Sequence, residues 1–295
     1  MEAPLDLLRP GRALTGMSAI LLPHHSPTEP DWPAFEAHVE RTAAAGLTPA
    51  VNMDTGFVHL LSPTQRAEVL RRTRALGVDF VAGAFDLADV EAVQTEGGTP
   101  VLFPSAATRD VVPAYQRVAT VADRFIGFEL SPVFHPDGQI WDLETYRAVL
   151  AIPQCLGAKH SSLDRQAEWD RLRLRDAQRP DFRVLTGNDL AIDMVMYGSD
   201  YLLGLSTFAP AEFAARDACW AKGDIAGFHR INDVLQWLGT TSFRPPVPAY
   251  RHDAARWFTL RGWAASDAVP VGAPRREAWE GALLADILAA LEAVA

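Results

Sequence analysis

Of the 27 Lys and Arg side chains, only Lys159 and Lys222 are lysines. Arginine stays protonated, whereas a desolvated lysine loses its proton and becomes an amine able to attack a carbonyl. Lys159 follows the apolar run Cys155-Leu156-Gly157-Ala158. An ammonium in such a place must be paired or neutral. The chemistry it points to is a Schiff base with a ketone or 2-oxo acid; the competing reading is a structural ion pair. Lys222 lies in Trp220-Ala221-Lys222-Gly223-Asp224, where a cation complements a helix end. Glu129 ends another apolar run, Phe125-Ile126-Gly127-Phe128. The same burial cost predicts that its carboxylate faces the mouth of the fold, pairing with Lys159 or moving protons. A purely structural pair with Lys159 or an arginine is the alternative.

Weaker candidates sit at other element ends. Asp54-Thr55-Gly56 forms a turn whose hydroxyl and N–H groups suit a substrate carboxylate, though ordinary Asx and ST turns look the same. Gly187-Asn188 and Ser206 occupy comparable positions further along the chain. His24, His25 and His59 lack the spacing of a metal motif such as HExxH, so they read as loop histidines and no metal is expected. His160 follows Lys159 and, by strand alternation, points to the opposite face. No GxSxG supports a serine hydrolase.

These residues need strands to carry them. Short apolar runs read as strands at 13–22, 49–53, 78–85, 100–103, 125–130, 155–159, 182–185 and 201–205. Helical patterns alternate with them at 31–45, from Ser62-Pro63 onward, and at 88–96, 110–122, 142–152, 164–178 and 191–197. From residue 211 the pattern is helical to the C-terminus, broken near Gly223, Gly239 and 243–248. Continuous apolar strands suit a parallel sheet covered on both faces. The expected architecture is an α/β (β/α)8 TIM barrel over residues 1–225, with a helical extension over 226–295 packed on it. In such a barrel the C-terminal strand ends carry the active site, which is where the candidates fall. A doubly wound open sheet is the runner-up, without a GxGxxG or P-loop signature to support it.

Composition narrows the function classes. Hydrophobic residues make up 48% of the chain and the net charge is −10, a field that repels nucleic acid and anionic membranes. Two cysteines, Cys155 and Cys219, do not make a disulfide scaffold. Residues 1–12 hold no apolar run long enough for a signal peptide, and no stretch is long enough to span a bilayer. A cytoplasmic location is the expectation.

The landmarks together, over roughly residues 14–291, resemble the dihydrodipicolinate synthase / N-acetylneuraminate lyase family. Asp54-Thr55-Gly56 with Leu61-Ser62-Pro63-Thr64-Gln65-Arg66 looks like its GTTGE and LSxxER stretch. Ser131-Pro132 looks like the end of its YNxP strand. Gly157-Ala158-Lys159, Gly187-Asn188-Asp189 and the segment from Gly198 through Ser206 to Pro210 follow in order. The resemblance implies a class I aldolase barrel, usually a homotetramer, that needs no cofactor beyond a covalent imine on Lys159. It implies carboxylate contacts from Thr55 and Gly56, and a small carbonyl substrate as the partner.

The departures are specific. Asp54 stands for a threonine and Phe57 for a glutamate. The family's acid/base tyrosine falls on Glu129, or with another gap on Phe128. Its carboxylate-gripping arginine falls on Phe134, with Arg244 and Arg251 as possible substitutes. The expectation is therefore a Schiff-base lyase or aldolase other than dihydrodipicolinate synthase itself. Catalysis is assigned to Lys159, Glu129, Asp54 and Thr55, and substrate binding to Gly56, Gly187, Asn188 and Ser206. The alternatives are a hydratase or dehydratase on the same scaffold, or a non-catalytic binding barrel. A homo-oligomer, dimer or tetramer, is implied by the resemblance.

Overall fold

The apolar runs become strands because their residues can be buried on both faces of a parallel sheet. A computed structural model of the chain describes residues 3–132 and 134–294. Among these, eight parallel strands form one barrel: β1 (Gly16–Ala19), β2 (Thr48–Val51), β3 (Val81–Ala84), β4 (Thr99–Leu102), β5 (Phe125–Leu130), β6 (Cys155–Ser161), β7 (Arg183–Thr186) and β8 (Asp200–Leu203). The closed order is β1-β8-β7-β6-β5-β4-β3-β2. All eight coincide with the sequence expectation, four of them shorter than read and β6 longer. No helix of the described residues is long and apolar enough to cross a membrane.

The helices are α1 (Trp32–Ala44), α2 (Pro63–Ala75), α3 (Leu87–Thr95), α4 (Val111–Val118), α5 (Leu143–Leu150), α6 (Arg165–Gln178), α7 (Pro210–Ala221), α8 (Ile225–Ser242), α9 (Tyr250–Leu260) and α10 (Gly281–Glu292). Ser62 caps α2 by accepting from Gln65 N, with Pro63 in the first turn where its missing N–H costs nothing. The stretch 192–197 winds as a 3-10 helix rather than an α-helix.

Residues 3–9 and 80–202 form one compact unit, and residues 10–79 and 203–294 a second. In the first, α4 and α5 cover the outer face of β3 to β6. Their shared core includes Leu102, Tyr115, Phe125, Tyr146 and Phe182. The Tyr115 hydroxyl accepts from Phe128 N at 3.1 Å, so a phenol completes the backbone pairing of β5.

Three expectations for the second unit are corrected. His24 and His25 do not lie in a plain loop: strands His24–Ser26 and Glu29–Pro30 pair antiparallel. The C-terminal third is not helical throughout either. Helix α9 ends at Leu260, and positive-φ Gly262 and Gly272, with Pro270 and Pro274, keep the next stretch irregular. That stretch runs along the hairpin instead, through an antiparallel bridge from Ala268 to His24 and a bond from Val271 N to Pro27 O at 3.2 Å. The expected break at Gly239 is absent, because α8 continues through it.

His38 of α1 is fully buried in this unit. Arg41 donates to its Nδ1 at 3.1 Å, so that nitrogen must hold a lone pair. Its Nε2 then donates to Thr207 Oγ1 at 3.0 Å, which also accepts from Leu21 N at 3.1 Å. Burial, with the charge of Arg41, pushes the His38 pKa down from 6.5 to about 3. Below pH 6.5 the unfolded chain takes up a proton that the folded chain refuses, so stability is lost as pH falls. This residue alone contributes a loss of about 1.4 kcal/mol per pH unit until the folded pKa is approached. Urea unfolding measured between pH 7 and pH 5 should show that slope, and His38→Gln should flatten it. An unchanged slope in the variant would place the acid sensitivity elsewhere.

Candidate active site

Parallel pairing of β5 with β6 sets Phe128 opposite Lys159 and Glu129 opposite His160. Successive side chains of a strand point to opposite faces, so these two rows cannot share a side. Glu129 and His160 lie on the face covered by α6, where they pair with each other and Arg171 reaches Glu129. Lys159 and Phe128 lie on the other face, the barrel interior.

Lys159 is half-buried. Its Nζ sits 4.5 Å from the centroid of the Phe128 ring, within range of a cation–π contact. Gly187, just after β7, makes room for its arm. A Cβ on Gly187 would fall 2.6 Å from Lys159 Cε and 2.1 Å from Ser161 Oγ, both prohibitive. Gly187 N donates to His160 O at 2.9 Å, which holds the glycine against β6. Asn188 turns inward on its own loop, its Oδ1 accepting from Leu190 N at 3.1 Å.

The structure corrects the expectation for Glu129. Its carboxylate does not face the mouth. Arg171 grips it through two bonds, Nε to Oε2 at 2.8 Å and Nη2 to Oε1 at 2.6 Å. Trp141 N donates to Oε1 at 2.9 Å and His160 Nδ1 to Oε2 at 2.8 Å. Burial alone would raise the Glu129 pKa, but the bonds from Arg171 and His160 outweigh it and hold the group ionised below the ordinary range. His160 Nε2 lies 2.6 Å from Ser162 Oγ. A second buried acid, Glu168 of α6, accepts from Thr186 Oγ1 at 3.0 Å and Ser199 Oγ at 2.5 Å. Burial raises its pKa, partly countered by His160 and the two hydroxyls. Of the two registers weighed for the family's tyrosine, the structure puts Phe128, not Glu129, beside Lys159.

In the second unit, Asp54-Thr55-Gly56 winds as a 3-10 turn after β2. Here sequence reasoning missed Tyr250, at the start of α9. Its hydroxyl lies 2.9 Å from Thr55 Oγ1 and donates to Asp54 Oδ2 at 3.1 Å. Arg251, one of the two arginines singled out, donates to Asp54 Oδ1 at 3.1 Å and Asp54 O at 3.2 Å. Arg244 instead pairs with Asp253 and Glu280. A Cβ on Gly204 would come within 3.2 Å of both Thr55 Oγ1 and the Tyr250 ring, so this glycine allows the two to approach. Ser206 is buried and donates to Leu203 O at 2.9 Å, which commits its hydroxyl to the backbone.

The strand order and the added C-terminal helices define the class: a (β/α)8 barrel with a helical extension. No protein-family model and no curated protein matches the sequence. Solved dihydrodipicolinate synthase structures share the fold. The enzyme from Thermotoga maritima superposes with a TM-score of 0.81 at 17% identity, over 95% of this chain and 99% of its own. A prophage protein of the dihydrodipicolinic acid synthase family from E. coli, in complex with pyruvate, gives 0.82 at 16% identity, over 94% and 98%. The chloride-inhibited enzyme from Acinetobacter baumannii, also complexed with pyruvate, gives 0.79 at 17%, over 95% and 99%.

The buried pair makes a stability prediction. Arg171→Met leaves the Glu129 carboxylate without its counter-charge and should cost about 3–5 kcal/mol. The double variant Arg171→Met with Glu129→Gln should lose clearly less than the sum of the two single losses. Additive losses in urea unfolding would mean that the two groups are not coupled as described.

Proposed function

We propose that the protein is a Schiff-base-forming lyase or aldolase acting on a 2-oxo acid or related carbonyl compound. The observation that carries this reading is the place of Lys159: late on the sixth barrel strand, on the interior face, half-buried, its arm accommodated by a side-chain-free residue just after the next strand. The two pyruvate complexes among the structures sharing the fold lend support for the substrate class.

The chemistry follows from the amine. Its lone pair attacks the carbonyl carbon, and the carbinolamine loses the carbonyl oxygen as water to leave a protonated imine. That cation accepts the electron pair of a breaking C–C bond, forming an enamine while the departing fragment leaves as an aldehyde. Protonation of the enamine carbon and hydrolysis return the amine. Glu129 takes no part in these proton transfers; it acts on the far face of the strand. Within the second unit, Tyr250 is bonded to both Asp54 and Thr55.

Borohydride reduction in the presence of a panel of 2-oxo acids should add one substrate mass to the protein, and peptide mapping should put it on Lys159. Lys159→Ala should abolish labelling even though Lys222 is retained. Gly187→Ala should lower the trapping rate about tenfold or more by displacing the lysine arm, with little change in substrate affinity. Absence of any adduct across the panel, or labelling that persists in Lys159→Ala, would refute the proposal.

A further inference from the structure

The face of β6 turned away from Lys159 ends in a second cluster, which the imine chemistry leaves unused. Glu129 is ionised and its oxygens only accept, so the proton of His160 sits on Nδ1, which donates to Oε2 at 2.8 Å. Nε2 then holds a lone pair, and the Ser162 hydroxyl lies 2.6 Å from it. The other acceptor within reach of that hydroxyl, Asp164 O, is further away at 3.3 Å. Asp164 N donates to Ser162 Oγ at 3.0 Å, which places the oxygen and leaves its hydrogen for the imidazole. Glu129 and His160 are buried and Ser162 is half-buried, so one chain of hydrogen bonds runs from the core of the first unit to its surface. The turn after the serine is sharp. Leu163 takes φ 63°, a left-handed conformation uncommon for a bulky residue, and α6 begins at Arg165. The Leu163 N–H makes no bond among the described residues, so the amide that follows the serine is available to an oxyanion.

We propose that Ser162 is a nucleophile, activated by His160 and Glu129, that takes the acyl group of an uncharged carboxylic ester. Carboxylate, imidazole and hydroxyl stand in the order and at the distances of a Ser-His-acid triad, which is defined by geometry rather than by a motif. The sequence here, Lys159-His160-Ser161-Ser162-Leu163-Asp164, carries no GxSxG to announce it. Ser162 Oγ bonds to the ester carbon as its proton passes to His160 Nε2. The imidazolium returns that proton to the alcohol oxygen as the ester C–O bond breaks, leaving an acyl-serine. Water then attacks the acyl carbon, giving up a proton through His160, and releases the carboxylic acid and the free hydroxyl. Arg171 shares the Glu129 carboxylate, so the imidazolium receives only part of its charge. His160 is thereby a weak base, which suits esters with good leaving groups. Two arginines of α6 are committed, Arg165 to Asp193 and Arg171 to Glu129, so neither is left to hold an anionic acyl group. The Asp164 carboxylate, bonded to Gln166 N and Ala167 N, would repel one.

A fluorophosphonate probe tests the nucleophile directly. The serine oxygen bonds to phosphorus, fluoride leaves, and the proton goes to the imidazole. Intact mass should rise by one phosphonyl group, and peptide mapping should put it on Ser162. Labelling of the folded protein should run about 100-fold faster than in urea, where the same hydroxyl has no base beside it. Ser162→Ala, which leaves the Glu129–Arg171 pair in place, should lose the label and lower p-nitrophenyl acetate hydrolysis about tenfold or more. His160→Gln should suppress labelling with the hydroxyl still present, and thermal melts confirm that both variants are folded. Lys159→Ala should label like the parent, which separates this chemistry from the imine. No label, a label on another residue, labelling of Ser162 no faster in the folded protein than in urea, or hydrolysis unchanged in Ser162→Ala would each overturn the proposal. Ser162 would then be a turn residue whose bond only steadies His160.

Discussion

The two-residue repeat of β6 governs what this protein can do. Lys159 and His160 are neighbours in the chain, yet one must face the interior and the other the helices. Whatever fixes His160 therefore fixes Lys159. His160 is held between Glu129 and Ser162, and Glu129 is in turn held by Arg171 and the backbone of Trp141. A buried ion pair of this kind adds little net stability over a well-packed apolar pair, but it is strongly directional, and losing either half is costly. Its contribution here is orientation. A slip of one residue in the β5–β6 pairing would put either a carboxylate among the phenylalanines, if β5 moved, or the lysine under α6, if β6 moved.

Outside this network the polar groups of the two units follow a shared pattern. Hydroxyls and imidazoles bridge backbone to side chain where strands end, as Thr207 does for Leu21 and His38, and Thr186 for Glu168 and Asn188. The glycines that matter are those where a second side chain needs the space. Gly187 yields it to Lys159, and Gly204 to Thr55 and Tyr250. Both follow strands, where a parallel barrel concentrates its reactive groups.

Much of this was legible in the sequence. The eight strands could be read because strands buried on both faces are nearly unbroken apolar runs, and Lys159 stood out because charge interrupts such a run. Its scarcity sharpened the signal. Glu129 interrupts a run in the same way and was misread, because composition does not say which face a residue takes. The answer lay in Arg171, 42 residues away on a helix so rich in charge that its buried stripe looks solvated. Tyr250 was illegible for the same reason: its partners Thr55 and Asp54 lie almost 200 residues earlier. The hairpin at 24–30 carries two histidines and two prolines, a poor strand signature, and is held partly by the distant residues Ala268 and Val271.

The discontinuity of the second unit bears on how the chain comes off the ribosome. Residues 80–202 are consecutive and hold most of the first unit, including β3 to β7, so they can begin to pack as soon as they emerge. Residues 10–79 must wait for the last 92 described residues before their own core closes. During that interval β1 and β2 are apolar segments whose unit is still incomplete, β1 lacking its neighbour β8, which makes the N-terminal quarter the part of this protein most in need of a chaperone.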